Sequence, residues 1–140
     1  MCHSIEFLSK VVENLNSQGY LITYSSSAAV RKTLRNLGLE IFTIKPSFKN
    51  RTFWSQGTVA ISKFDKNKLK PNFNFEKLSL MEEEHLLTKA SIPYRDQDLN
   101  SSKDDIIKRR LDDQFFSNLL STNKWREKWG MTKLSVKSKI

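Results

Sequence analysis

The stretch GYLITYSSSAAVRKTLRNLGLEIF, residues 19–42, decides the fold class of this 140-residue chain. The apolar run from Tyr20 to Tyr24 is typical of a strand buried on both faces. The alternation from Leu39 to Lys45 predicts a second strand. Between the two, a serine run and apolar residues three or four apart predict a helix that ends at Gly38. A strand, a helix and a strand in this order predict an α/β domain.

The helix in this stretch has an apolar side and a basic side. Its candidate N-caps are Ser25, Ser26 and Ser27. Its apolar stripe is formed by Val30, Leu34 and Leu37, which we expect to face the core. The basic residues are then predicted to point away from the core: Arg31, Lys32 and Arg35.

Further elements are predicted on both sides of this stretch. Ser4 can cap a first helix, and Thr58 to Ser62 predicts a strand antiparallel to the one before it. Ser79 with Glu82 is a capping-box pattern for a helix that runs to about Ala90. Another helix is predicted to open at Ser102 and Asp105, with an apolar residue every four positions: Ile107, Leu111, Phe115 and Leu119.

These elements predict four regions in the chain. Residues 1–64 form the α/β part, and residues 65–75, rich in Lys and Asn, form a linker. Residues 76–124 form a helical extension, and residues 125–140 form a basic tail that we expect to be disordered.

Composition favours a soluble protein with an anionic partner. The chain carries a net charge of +9, with 38% hydrophobic and 28% charged residues. Cys2 is the only cysteine, which excludes an internal disulfide and fits a reducing compartment. No apolar run approaches the roughly 20 residues of a membrane span. The first residues lack a secretory pattern, so the cytoplasm is the expected location.

Several kinds of site are not expected in this chain. Its four glycines lie far apart, so no glycine-rich loop can wrap a cofactor phosphate. Glu82 and His85 have the spacing of a di-metal helix, but no second copy of the motif exists. The pair Cys2–His3 also lacks further ligands, so we expect no metal site.

The helix after the serine run carries a family resemblance. Ala28-Ala29-Val30-Arg31, followed by Leu34 and Gly38, resembles the late strand-helix-strand of the MnmC-type methyltransferases, which act on the wobble uridine of certain tRNAs. Residues 5–10 look like the helix after that family's acidic active-site strand. Residues 81–90 and 93–96 look like a C-terminal extension of cyanobacterial relatives, which lack the oxidase half of the two-domain enzymes.

The resemblance implies a fold that begins partway through a domain. The chain would be the C-terminal half of a Rossmann-like class I methyltransferase, a three-stranded mixed sheet with two helices, plus a helical C-terminal extension. In such folds the last strand inserts antiparallel between the two before it. The expected order is therefore 20–24, 58–62, 39–45, which leaves Tyr20 to Tyr24 as an open sheet edge.

The resemblance also implies a reaction and its partners. The family transfers a methyl group from S-adenosylmethionine in the biosynthesis of 5-methylaminomethyl-2-thiouridine at the tRNA wobble position. Its glycine-rich cofactor loop and its acidic catalytic motif would both precede Met1, so no catalytic residue is carried over. A truncated or split chain of this kind is not expected to be active, or to bind the cofactor, alone. It would either need an N-terminal polypeptide that pairs with the strand Tyr20–Tyr24 or be marginally stable.

Six residues are candidates for substrate or RNA contact: Ser25, Ser26, Arg31, Lys49, Arg51 and Trp54. Cations attract phosphates, and aromatic rings stack on unpaired bases. The alternative for the serines is helix capping alone, and for the basic residues a solvated helix face with aromatic groups in the core. A small basic RNA-binding module without catalysis is the alternative function, and a nonfunctional gene remnant is a third possibility.

Overall fold

The computed structural model describes residues 3–16, 19–45, 55–62 and 75–131. Helices and strands alternate at first and give way to helices after the last strand. In chain order they are α1 (Ile5–Glu13), β1 (Tyr20–Thr23), α2 (Ala28–Asn36), β2 (Leu39–Ile44), β3 (Gly57–Ser62), β4 (Phe75–Lys77), α3 (Leu80–His85), a 3₁₀ helix (Lys89–Ser91), α4 (Lys103–Phe116) and α5 (Thr122–Lys128).

The strands form one sheet in the order β1-β3-β2-β4. The predicted insertion of β3 between β1 and β2 is confirmed, with Val59 opposite Ile22 on one side and opposite Phe42 on the other. The sheet differs from the expected three-stranded mixed sheet in two ways. β4 adds a fourth strand at the end of the predicted linker, and every described neighbour pair is antiparallel. β1 and β2 run parallel to each other, but they are not neighbours because β3 lies between them.

α2 covers the sheet and makes the centre of the core. Its predicted stripe is confirmed, since Val30 and Leu34 are fully buried. They cluster with Ile41 of β2, Ala60 of β3 and Leu8 of α1. Burying a side chain of this size contributes roughly 1.5–3 kcal/mol. α1 begins as predicted at Ser4, whose hydroxyl accepts a hydrogen bond from the Phe7 amide.

β1 lies at an edge of the sheet and is not buried on both faces, so that expectation is wrong. Leu21 packs against the core, whereas Tyr20 is exposed and Ile22 is 49% exposed. Within the described ranges, β1 has a hydrogen-bonded neighbour on the β3 side only. The open edge expected from the resemblance is therefore present.

The C-terminal elements begin where predicted but extend differently. α3 has the predicted capping box at Ser79 and ends at His85, short of Ala90. α5 occupies part of the predicted disordered tail, so the tail prediction is wrong for this helix. Trp125 is buried there, and its indole N–H donates to the Met81 carbonyl at 2.9 Å. Residues 132–140 of the predicted tail and residues 65–74 of the predicted linker lie outside the described residues.

Candidate functional site at the end of β1

The turn between β1 and α2 is the predicted site, and its backbone is held by hydroxyl groups. The Ser25 amide donates to Thr23 Oγ1 at 3.1 Å, and the Ser27 amide donates to Ser25 Oγ at 3.3 Å. Ser27 is the N-cap of α2 by position, but its side chain makes no capping hydrogen bond. Ser25 therefore orders the turn, and Ser26 is half-buried within it.

Thr58 of β3 connects this turn to the interior. Its hydroxyl donates to the Ser25 carbonyl at 2.7 Å and accepts from Arg31 Nε at 2.9 Å. The strands approach so closely here that a Cβ on the preceding Gly57 would clash with the Thr23 carbonyl oxygen. No side chain fits in that space, so glycine is required where β3 begins.

Arg31 is fully buried, so the prediction that it points away from the core is wrong. Its Nη1 lies 2.6 Å from Glu82 Oε2 in an ion pair. Its Nη2 donates to Ser55 Oγ at 2.8 Å and to the Gly57 carbonyl at 3.1 Å. Burial lowers the pKa of the guanidinium, Glu82 opposes the shift, and arginine stays charged at neutral pH.

The burial of Arg31 has a physical reason. A buried guanidinium is stable only when its five N–H donors find acceptors and a counter-charge. β3 and α3 supply these groups, and neither element is close to Arg31 in sequence. Enclosed by Glu82, Thr58 and Ser55, the guanidinium does not present a charge to RNA phosphates in this structure.

The neighbouring basic residue Arg35 is also paired. Its two terminal nitrogens donate to the two carboxylate oxygens of Glu83, each at 2.8 Å. The bidentate hydrogen bond raises the pKa of Arg35 and lowers the pKa of Glu83. The basic side of α2 is thus largely neutralised by α3. Lys49, Arg51 and Trp54, the remaining RNA-contact candidates, lie outside the described residues.

The exposure of the Tyr24 side chain is a feature of the site that the sequence did not predict. The apolar run from residue 20 placed it at the end of a buried strand, but it follows β1 and is 96% exposed. Its ring stands beside the serine turn, at the carboxyl end of β1, where open α/β sheets bind ligands.

Glu82 and His85 have structural partners in this fold. Glu82 Oε1 accepts from the Ser79 amide at 3.3 Å, while its other oxygen contacts Arg31. The His85 ring stacks on the Trp125 ring, with ring centres 4.1 Å apart. Burial lowers the pKa of His85 to about 4. In the described ranges, no group of three or more His, Cys, Asp and Glu residues could hold a metal ion.

Comparison with known proteins supports the resemblance found at α2. Residues 2–60 match a family model described as an S-adenosyl-L-methionine-dependent methyltransferase. No curated protein sequence matches the chain significantly. The fold is similar to the crystal structure of MnmC2 from Aquifex aeolicus, with a TM-score of 0.65 and 25% sequence identity.

The extent of the structural match is unequal in the two proteins. It covers 81% of this chain and 33% of the MnmC2 chain, so this chain spans about a third of that protein's length. No helix in the described ranges has the length and apolar character needed to cross a bilayer. The family match lies over α1 to β3, the same elements that carry the sheet and the serine turn. Residues 2–60 are therefore similar to S-adenosyl-L-methionine-dependent methyltransferases, and the fold of most of the chain is similar to part of MnmC2.

Proposed function

We propose that this chain is the C-terminal part of an S-adenosylmethionine-dependent tRNA methyltransferase. A second polypeptide, whose strands pair with β1, would complete the domain. The reaction would be the methyl transfer that forms 5-methylaminomethyl-2-thiouridine at the wobble position. The observation that carries this proposal is the edge position of β1 in a chain that matches only 33% of the length of its solved relative. A strand that pairs with β1 would continue the sheet toward the missing elements.

The residues around the serine turn do not make a complete cofactor site by themselves. The Ser25 hydroxyl, the Ser25 carbonyl and the Ser27 amide already bond within the protein. We therefore expect that this chain alone does not bind S-adenosylmethionine tightly.

The residues of this chain would position the tRNA in the completed protein. The exposed ring of Tyr24 is suited to stacking on an unpaired base, beside the turn formed by Ser25 and Ser26. Lys49, Arg51 and Trp54 would contact the phosphates and bases of the tRNA, consistent with the net charge of +9. Arg31 would act inside the fold, by holding Thr58 and Gly57 in place.

Complementation tests the proposal directly. The chain is mixed with a polypeptide containing the MnmC2 strands that precede the matched region, and transfer of labelled methyl groups to undermodified tRNA is measured. We expect activity only when both polypeptides are present. Ile22→Lys places a charge on the β1 edge and should weaken complementation, whereas Leu80→Lys on α3 places the same charge elsewhere and should not.

Two results would contradict the proposal. One is tight cofactor binding by this chain alone in calorimetry, and the other is the absence of any assembly with the added polypeptide. The non-catalytic RNA-binding module is the competing function. It predicts RNA affinity without a partner that falls steeply with salt and weakens in Lys49→Glu and Arg51→Glu.

A further inference from the structure

The basic side of α2 keeps one charge that α3 does not neutralise. Arg31 and Arg35 donate to carboxylates of α3, whereas Lys32 makes no hydrogen bond or ion pair within the described ranges. Lys32 is half-buried, so the surrounding residues restrict the position of its side chain. Its ammonium group therefore offers N–H donors to a ligand at a defined place on the surface.

Lys32 lines a small groove where α2 meets α1 and the end of the 3₁₀ helix. The groove has a volume of about 90 Å³. Asn36, one turn further along α2, also lines it, together with Ile5 of α1 and with Ser91 and Pro93. This volume is far below the roughly 300 Å³ of a pocket for a drug-sized molecule, so the groove fits a group as small as a phosphate. We call it the α1–α2 groove.

Arg95 is held next to the α1–α2 groove by contacts with the start of α1. The Ile5 amide donates to the Tyr94 carbonyl at 2.9 Å, and Arg95 Nε donates to Glu6 Oε1 at 2.8 Å. Ile5 and Pro93 line the groove, and Arg95 follows Pro93 by two positions and bonds to the residue after Ile5. A second cation therefore lies beside the groove.

Only one nitrogen of the Arg95 guanidinium is used inside the protein. Within the described ranges, Nη1 and Nη2 have no hydrogen-bond partner, and 41% of the side chain is exposed. The contact with Glu6 orients the guanidinium, because the Asp96 amide donates to the other oxygen of that carboxylate at 2.7 Å and holds it in place. An oriented guanidinium with two open terminal nitrogens can bind two oxygens of a phosphate.

The carboxylates that the structure places near Lys32 and Arg95 already accept hydrogen bonds. Both oxygens of Glu83 and both oxygens of Glu6 have donors. The Asp96 carboxylate is buried and accepts from a backbone amide at 2.9 Å. Lys32 and Arg95, in contrast, have N–H donors without acceptors, so the groove favours an anion rich in acceptor oxygens.

We propose that Lys32 and Arg95 bind a phosphate of the RNA backbone at the α1–α2 groove. A phosphodiester supplies the acceptor oxygens that these donors lack, and RNA suits a chain with a net charge of +9. The groove is too small for a base, so the contact positions the RNA without reading its sequence. The inference rests on the RNA partner of the proposed function and not on methyl transfer.

The anisotropy of a fluorescent, unmodified tRNA transcript measures its binding to the full chain over a range of salt concentrations. We expect Lys32→Ala and Arg95→Ala each to raise the dissociation constant about tenfold at low salt. Each should also reduce the slope of log K against log salt by about one. Lys77→Ala and Arg109→Ala remove the same charges at exposed positions on β4 and α4 and should change both quantities much less.

Stability and geometry are controlled separately. Lys32 has no partner within the described ranges, so Lys32→Ala should keep the wild-type free energy of unfolding. This variant carries the test even if Arg95→Ala fails to fold. Arg95→Lys keeps the charge but lacks the forked donors, so it should retain only part of the affinity.

The inference is overturned if the wild-type chain has no measurable tRNA affinity at low salt, or if Lys32→Ala and Arg95→Ala bind like the two controls. Displacement of the tRNA by millimolar inorganic phosphate at constant ionic strength would also overturn it, because the groove would then belong to a free anion. Variants that bind like the controls while complementation still gives methyl transfer would leave the proposed function standing. Loss of tRNA affinity in both variants without any complementation would contradict the proposed function alone.

Discussion

His85 shows how one buried side chain links the stability of this protein to pH. Its ring stacks on Trp125, and burial together with the charges of Arg31 and Arg126 lowers its pKa to about 4 from the ordinary 6.5. In the unfolded chain the imidazole takes up a proton near pH 6.5. Between pH 6.5 and 4 the unfolded state therefore binds more protons than the folded state, and the free energy of unfolding falls as the pH falls.

Replacing His85 should remove this part of the pH dependence. His85→Phe keeps a ring against Trp125 but cannot take up a proton. We expect its free energy of unfolding, measured in urea, to change less than that of the wild type between about pH 7 and about pH 4.5. The control is His3→Phe, at an exposed position, which should follow the wild type. Equal pH slopes for wild type and His85→Phe would contradict the prediction.

At the scale of elements, the ion pair between Arg31 and Glu82 joins α2 to α3. Both side chains are buried, and Arg31 Nη1 lies 2.6 Å from Glu82 Oε2. A second pair, Arg35–Glu83, lies beside it but is about one-third to one-half exposed and contributes less. The buried pair fixes the helical extension on the α/β part.

Removing one partner of the buried pair should destabilise the fold strongly. Glu82→Ala leaves the Arg31 charge in the interior and should cost about 3–5 kcal/mol in the free energy of unfolding. Glu76→Ala on β4 removes the partner of Lys45, which follows β2, in a half-exposed pair, and should cost at most about 1 kcal/mol. The prediction fails if chemical denaturation gives the two variants equal stability.

The same pair marks the limit of what the sequence could predict. Ser79 and Glu82 are three residues apart, so the capping box is a local pattern and was found. Arg31 and Glu82 are 51 residues apart, and no local pattern records that the two will meet. The sequence alone therefore predicts that the basic side of α2 is exposed. Arg31 becomes an interior residue only through its contact with α3.

Periodicity has a related limit in α4. The spacing of Ile107, Leu111 and Phe115 establishes that they share a face, but only the tertiary contacts of Arg110 and Gln114 decide that this face points outward. The strand order came instead from the family resemblance. It placed β3 between β1 and β2, a long-range relation that the alternation of residues does not contain.

At the scale of the whole molecule, the open β1 edge gives each copy a place to associate with another chain. β1 can pair with the β1 of a second copy about a two-fold axis. An exposed apolar edge strand favours such pairing. A preparation of this chain without a completing polypeptide should thus form dimers or larger species through β1.

Ile22→Lys should reduce this association. Ile22 is half-exposed on β1, and a lysine there opposes pairing at the edge. Leu80→Lys adds the same charge to α3, so it separates the effect on the edge from the effect of a higher net charge. Light scattering at rising concentration should show associated species for the wild type and for Leu80→Lys, and less association for Ile22→Lys. Association that is equal in all three proteins would mean that assembly does not proceed through β1.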